Sequence, residues 1–180
     1  MKNLKELKRH KGVKLTEVTT SIKINESSEK VWEALSHFGN VSSFHAGVEK
    51  SVNNVGSPNK AALGVERTCD ILDGKREVVL KEKITEYVEE SHYRYEVFEW
   101  ENFPLKSMFF GFKVTKISTN KSKLSLTINY RLKPGFMTNL MKWKIRKLER
   151  TVLTGYRHFI ETGKKNTPIK EIEKLGYQFI

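Results

Sequence analysis

From residue 48 to residue 134 the apolar side chains of this chain recur at every second position, and no other feature restricts its fold as tightly. Six segments carry the pattern: 48–55, 62–72, 76–88, 92–100, 107–118 and 123–134. They are rich in β-branched and aromatic residues, and a period of two sets alternate side chains on opposite faces of a strand. Asp73-Gly74 is a two-residue hairpin signal, and residues 89–91 and 119–121 supply further turns. Consecutive strands joined by short turns predict an antiparallel meander.

Different periods bracket this region. Residues 15–24, "LTEVTTSIKI", read as one more strand, and "NESSEKVWEALSHF" follows as a helix. Ser27 suits its N-cap and Glu29 its first turn, while Val31, Trp32, Leu35 and Phe38 share one face. Gly39-Asn40 ends it, with room for a short helical turn over 41–45. Pro134-Gly135 closes the meander, and a single long helix is predicted over 136–162. Leu140, Met141, Ile145, Leu148, Val152, Tyr156, Phe159 and Ile160 recur on one face of it, and Gly163 is its expected C-cap. The expected architecture is α+β: a curved antiparallel sheet of about seven strands around a long C-terminal helix, with one or two short helices after the first strand. One domain over 15–163 would then sit between a basic segment, 1–14, and a tail, 164–180, that has room for one short helix. A sheet that curls away from a straight helix leaves space, which side chains fill or a cavity occupies.

At 180 residues the chain can bury a large core as one domain. No apolar run approaches the roughly 18 residues of a spanning helix. The start, "MKNLKELKRHKGVKL", lacks the apolar stretch of a secretory signal, so a cytoplasmic location is expected. The single cysteine, Cys69, excludes an internal disulfide and a cysteine-based zinc cage. His37 and His45 stand apart from any acidic cluster, and no glycine-rich phosphate loop or Gly-x-Ser-x-Gly elbow occurs, so neither metal nor cofactor is expected. The net charge of +12 gathers in 2–14, 142–150 and 164–165. Such clusters either form a solvated helix face or meet an anionic partner such as a membrane surface. Without a zinc-finger, RNP-type or GxxG signature, nucleic acid is the less favoured partner.

The stretches "SSEKVWEALSHFGNVSSFHAGVEKS", "GVERTCDILDG", "VVLKEKITEYVEESHYRYEV" and "FPLKSMFFGFKV…LSLTINYRLKPG" resemble, in this order, the polyketide cyclase/dehydrase and lipid-transport family of the START-like, Bet v 1-like helix-grip superfamily (SRPBCC). The likeness covers roughly residues 16–162. It implies a pocket between sheet and long helix, with Phe38, Phe44 and His45 on its rim. A tryptophan frequent in the family's last strand falls near Ile128 here.

Strand alternation places Val65, Arg67, Cys69 and Ile71 on one face, and Leu80, Glu82 and Ile84 on one face of the next strand. A charge among apolar neighbours on each strand points to an Arg67–Glu82 ion pair on the inner side. That pair is either structural, or Arg67 meets a ligand carboxylate or enolate while Glu82 serves as a base. Tyr95 shares a face with Tyr93 and matches the family's strand tyrosine, offering a hydroxyl to a ligand or to the core. Phe110, Phe112 and Ile128 read as apolar wall or plain core, and Met137, Leu140, Met141 and Leu148 as the facing wall on the long helix. His45 is a weak second candidate for acid/base chemistry beside Glu82, and Cys69 reads as a buried inert thiol. Binding of a small hydrophobic or amphipathic ligand (a lipid, isoprenoid or polyketide-like compound) is the leading expectation. A cyclase/dehydratase-type enzyme and a membrane-docking lipid or quinone carrier are the alternatives.

Overall fold

The computed structural model describes residues 4, 6–44, 48–54, 56, 58–73 and 76–180. Seven strands form one antiparallel sheet: β3 (Thr16–Ile24), β4 (Val48–Asn53), β5 (Glu66–Asp73), β6 (Arg76–Val88), β7 (His92–Glu101), β8 (Leu105–Ser118) and β9 (Lys121–Leu132). Their spatial order is β3-β9-β8-β7-β6-β5-β4, the predicted meander with the first strand closing against the last. Helix α1 (Ser28–Ser36) begins where Ser27 accepts a hydrogen bond from the Lys30 amide, and a 3-10 helix (Phe38–Ser43) follows. Helix α3 (Lys142–Thr162) crosses the inner face and stops at Gly163, whose φ of 72° is the left-handed C-cap conformation. This is the α+β architecture that the periodicities predict, in the helix-grip form that the resemblance implies.

The inner face is built by alternation. Val18, Ile22, Ile24, Leu124, Leu126, Ile128, Phe110, Phe112, Val114, Tyr93, Tyr95 and Val97 are buried there against Ile145, Val152, Leu153, Tyr156 and Ile160 of α3. Register shifts between Lys81 and Glu82, and again between Ile84 and Glu86, interrupt the β6–β7 ladder. Such irregularities bend and twist a strand, which helps the sheet curl around the helix.

Several boundaries differ from the sequence reading. The strand expected from residue 62 starts at Glu66, because Gly64 takes a φ of 84° and turns the chain first. The expected single helix over 136–162 is two pieces, α2 (Met137–Leu140) and α3, separated at Met141, whose backbone (φ −90°, ψ 2°) leaves helical geometry. Leu140, assigned to the inner face, instead points outward and is 61% exposed. Leu140 stands one residue before Met141 and five before Ile145, out of step with the three- and four-residue spacing of the inner stripe, so it falls about 100° or more around the helix from that stripe.

The basic N-terminal segment contains a two-stranded ribbon, β1 (Arg9–His10) and β2 (Val13–Lys14), turning at Lys11-Gly12, both with positive φ. It lies on the outer face of the sheet, where the His10 ring meets Phe109 edge-on at 4.9 Å and Asn129 donates to the Leu7 carbonyl. The tail carries a short helix, α4 (Ile169–Glu173), and returns along β3, where the Ile180 amide donates to the Ser21 carbonyl at 2.9 Å. Among the described residues no helix is long and apolar enough to cross a membrane.

Candidate functional site

Arg67 near the start of β5 and Glu82 in the middle of β6 face each other across the ladder. Both lie on the inner face and both are 3% exposed. Arg67 Nε donates to Glu82 Oε2 at 2.5 Å, and Arg67 Nη1 donates to the Phe38 carbonyl at 2.6 Å. The guanidinium carbon sits 3.9 Å from the Phe38 ring centroid and 4.9 Å from that of Tyr95. Ring faces attract a desolvated cation by about 2 kcal/mol. Burial is the largest influence and opposes the Arg67 charge, yet the Glu82 carboxylate, joined by Cys69, Tyr95 and Tyr156, outweighs it and holds the guanidinium well above its ordinary range.

The 3-10 helix delivers the Phe38 carbonyl. Its approach to β4 requires a glycine at 39, because a Cβ there would lie 2.2 Å from Asn53 Oδ1. Ser51 of β4 donates to the Gly39 carbonyl at 3.0 Å, fixing the same junction. Cys69 Sγ lies 3.7 Å from Glu82 Oε2 and 3.8 Å from Ser51 Oγ. Burial, reinforced by the Glu82 charge, pushes the thiol up to about 12. Burial likewise pushes Tyr156 up to about 12, and Tyr93 and Tyr95 well above the ordinary phenol range. All four groups therefore keep their protons at neutral pH and have a hydrogen to donate.

Aromatic rings surround this polar centre. Tyr95 stacks on Phe110 with centroids 5.1 Å apart, and Phe112 meets Tyr93 at 5.6 Å and Tyr156 at 5.5 Å. Phe44 packs on Tyr156 and Phe159. The space between sheet and helix is thus occupied by rings in contact at this level. A cleft of about 440 Å³ lies outside it, between α1 and the end of α3, lined in part by Lys30, Glu33, His37 and Phe159.

The fold therefore gathers Phe38, Arg67, Cys69, Glu82, Tyr95, Phe110 and Phe112 around one point, with Phe44 joined through Tyr156. Ile128 is fully buried and pairs with Phe110 in the β8–β9 register. Met137, Met141 and Leu148 pack against the core, half-buried, from the first turns of the helical region. Leu140 is excluded by its exposure, and His45 lies outside the described residues. The sequence reading gives Tyr156 only a place in the apolar stripe, whereas its ring meets Phe44 and Phe112 and its hydroxyl feels the Arg67 and Glu82 charges. The available signal was its being the one tyrosine on that helix.

The family model for polyketide cyclase/dehydrase and lipid transport matches residues 16–155. No curated protein matches the chain in sequence. Among solved structures, Zhui aromatase/cyclase from Streptomyces superposes with a TM-score of 0.69 at 10% identity, over 82% of this chain and 94% of that one. The major latex-like protein 151 of Panax ginseng gives 0.65 at 14% identity, over 79% and 95%. A protein from Bacillus thuringiensis gives 0.64 at 16%, over 81% and 98%. At these identities the structural likeness speaks for the fold.

Proposed function

Because the chain belongs to the polyketide cyclase/dehydrase and lipid transport family, we propose that it binds a small hydrophobic or amphipathic compound between its sheet and α3. The ligand's rings or chain would replace contacts among Phe38, Phe44, Phe110 and Phe112. Its polar end, a carboxylate or enolate, would take the Arg67 guanidinium in place of part of the present partner set. Tyr95 and Tyr156 would donate hydroxyl hydrogen bonds beside it.

The observation that carries this reading is the buried Arg67–Glu82 pair inside an aromatic cage. Desolvating two charges often costs as much as their attraction returns, so apolar residues of similar volume would serve stability equally well. A guanidinium kept charged in a desolvated interior is suited to recognising an anionic oxygen. Binding is favoured over catalysis because Cys69, Tyr93, Tyr95 and Tyr156, all pushed up by burial, stay protonated near neutral pH and are poor bases there. Among the described residues Glu82 is the one candidate base at the centre, and it is engaged by Arg67.

Native mass spectrometry of the freshly purified protein, followed by denaturing extraction, tests the proposal. A stoichiometric lipid-like or aromatic adduct that is lost in the Arg67→Met/Glu82→Leu double variant supports it. An adduct retained by that variant moves the site elsewhere. Failure of the wild type to take up any of a panel of fatty acids, isoprenoid acids and polycyclic phenols overturns it.

A further inference from the structure

The first turns of the helical region expose three large apolar side chains in succession: Phe136 is 69% exposed, Leu140 61% and Trp143 62%. Helical hydrogen bonding runs through the irregularity at Met141, from Leu140 to Phe136, Met141 to Met137 and Ile145 to Met141. Steps of four and three therefore put Phe136, Leu140 and Trp143 on one stripe. The opposite stripe, with Thr138 and Ile145 buried and Met141 half-buried, already supplies the contact with the core. The outward stripe has no structural task in the fold, and leaving it in water is unfavourable.

The same stretch of chain carries only cationic charge. Lys142, Lys144, Arg146 and Lys147 are all exposed, and Lys133 is exposed just before α2. By helical spacing Lys147 continues the apolar stripe, while Lys144 and Arg146 flank it. No aspartate or glutamate occurs from residue 131 to residue 148. The next acidic group, Glu149, is buried on the inner side, where it accepts a hydrogen bond from Thr20. Lys144 Nζ lies 5.7 Å from the Trp143 ring, so an exposed indole and an ammonium sit side by side.

We infer that this α2–α3 face is a docking surface for an anionic lipid bilayer. Phe136, Leu140 and Trp143 enter the boundary between headgroups and acyl chains, and Lys144, Arg146 and Lys147 meet the lipid phosphates. Trp is suited to that depth because its body is apolar and its N–H is polar. Lysine stems lie along apolar surface while their ammonium groups stay among headgroups. The chemistry separates a bilayer from a nucleic acid. A base-stacking platform needs successive flat rings, and here the aliphatic Leu140 stands between Phe136 and Trp143. The inference is independent of what the interior binds.

The test is sedimentation of the full-length protein with phosphatidylcholine vesicles, with and without phosphatidylglycerol, across ionic strengths. We expect binding that requires the anionic lipid and fades with salt. The Phe136→Ser/Leu140→Ser/Trp143→Ser variant should lose at least about tenfold in partitioning, and Lys144→Gln/Arg146→Gln/Lys147→Gln about 100-fold. Because all six side chains are exposed, circular dichroism and the thermal midpoint should stay as in the wild type. A second readout needs only one substitution: brominated lipids should quench the wild type, and Trp143→Phe should abolish that quenching, leaving Trp32 and Trp100 unaffected. No vesicle binding, equal binding to neutral vesicles, or binding that survives either triple variant overturns the inference. So does retention on an RNA oligonucleotide without vesicle binding.

Discussion

Arg67 and Glu82 are partners twice over, since their Cα atoms face each other across the β5–β6 ladder and their side chains close a 2.5 Å hydrogen bond beneath it. Strand register thus preassembles the pair before any long-range packing is needed. Phe38, 29 residues before Arg67, adds the second acceptor through its backbone carbonyl. The centre of the molecule is therefore a charge pair built by one hairpin and sealed by the segment after α1.

Removing one member should be far worse than removing both. Arg67→Met leaves the Glu82 carboxylate buried without its cation and should cost about 3–5 kcal/mol of folding stability. Arg67→Met/Glu82→Leu should recover most of that loss. Urea unfolding of the three proteins checks the order, and a double variant as unstable as the single one would contradict it.

Glu149 gives the stability a pH dependence of known sign. Burial raises its carboxyl from 4.5 to about 7, against the hydrogen bond from Thr20 and the charges of Arg146 and Arg150, with Tyr130 also nearby. The folded state therefore binds this proton more tightly than the unfolded chain. Its contribution is fully present below about pH 4.5 and is lost as pH rises through about 7. Glu149→Gln should remove this slope, on the order of 2 kcal/mol, between those limits. Denaturation midpoints across that range test it, with an unchanged slope as the contrary result.

Gly39→Ala should destabilise by about 1–3 kcal/mol, because its methyl group would overlap the Asn53 amide. Asn53 is not free to swing away, since its Nδ2 donates to the Pro58 carbonyl at 2.7 Å and to Asn59 Oδ1. Adding Asn53→Ala to Gly39→Ala should restore part of the loss. Thermal melts of the single and double variants decide it.

Cys69 should resist alkylation in the native protein. It is 2% exposed and its thiol is pushed up to about 12, so almost no thiolate reaches solvent at neutral pH. Iodoacetamide should label it at the rate at which the interior opens and rapidly in urea. Fast labelling of the folded protein would show that the β4–β5 region is open to solvent.

Local patterns carried much of this molecule on their surface. Alternation along β5 and β6 is a property of the backbone, so Arg67, Cys69, Glu82 and Ile84 could be set on one face before any contact was known. The Ser27 cap and the Gly163 terminus follow from hydrogen-bonding and φ requirements that act over four residues. The one-sided charge of residues 131–148 is equally plain in the residue order. Leu140 departs from the expected inner wall because it stands next to Met141 and five residues before Ile145, steps that turn it about 100° or more away from the inner stripe, and it is 61% exposed.

The sequence by itself thus determined the strand faces, the helix ends and the cationic character of the α2–α3 face, all of which arise from interactions between near neighbours. Only the tertiary structure decided what meets across the interior. Phe38 above Arg67, Tyr156 against Phe112, Glu149 under Thr20 and the ribbon 9–14 on the outer sheet face join residues far apart in the chain. Such meetings depend on how the sheet curls around α3, a property of the assembled layers that no local run of residues encodes.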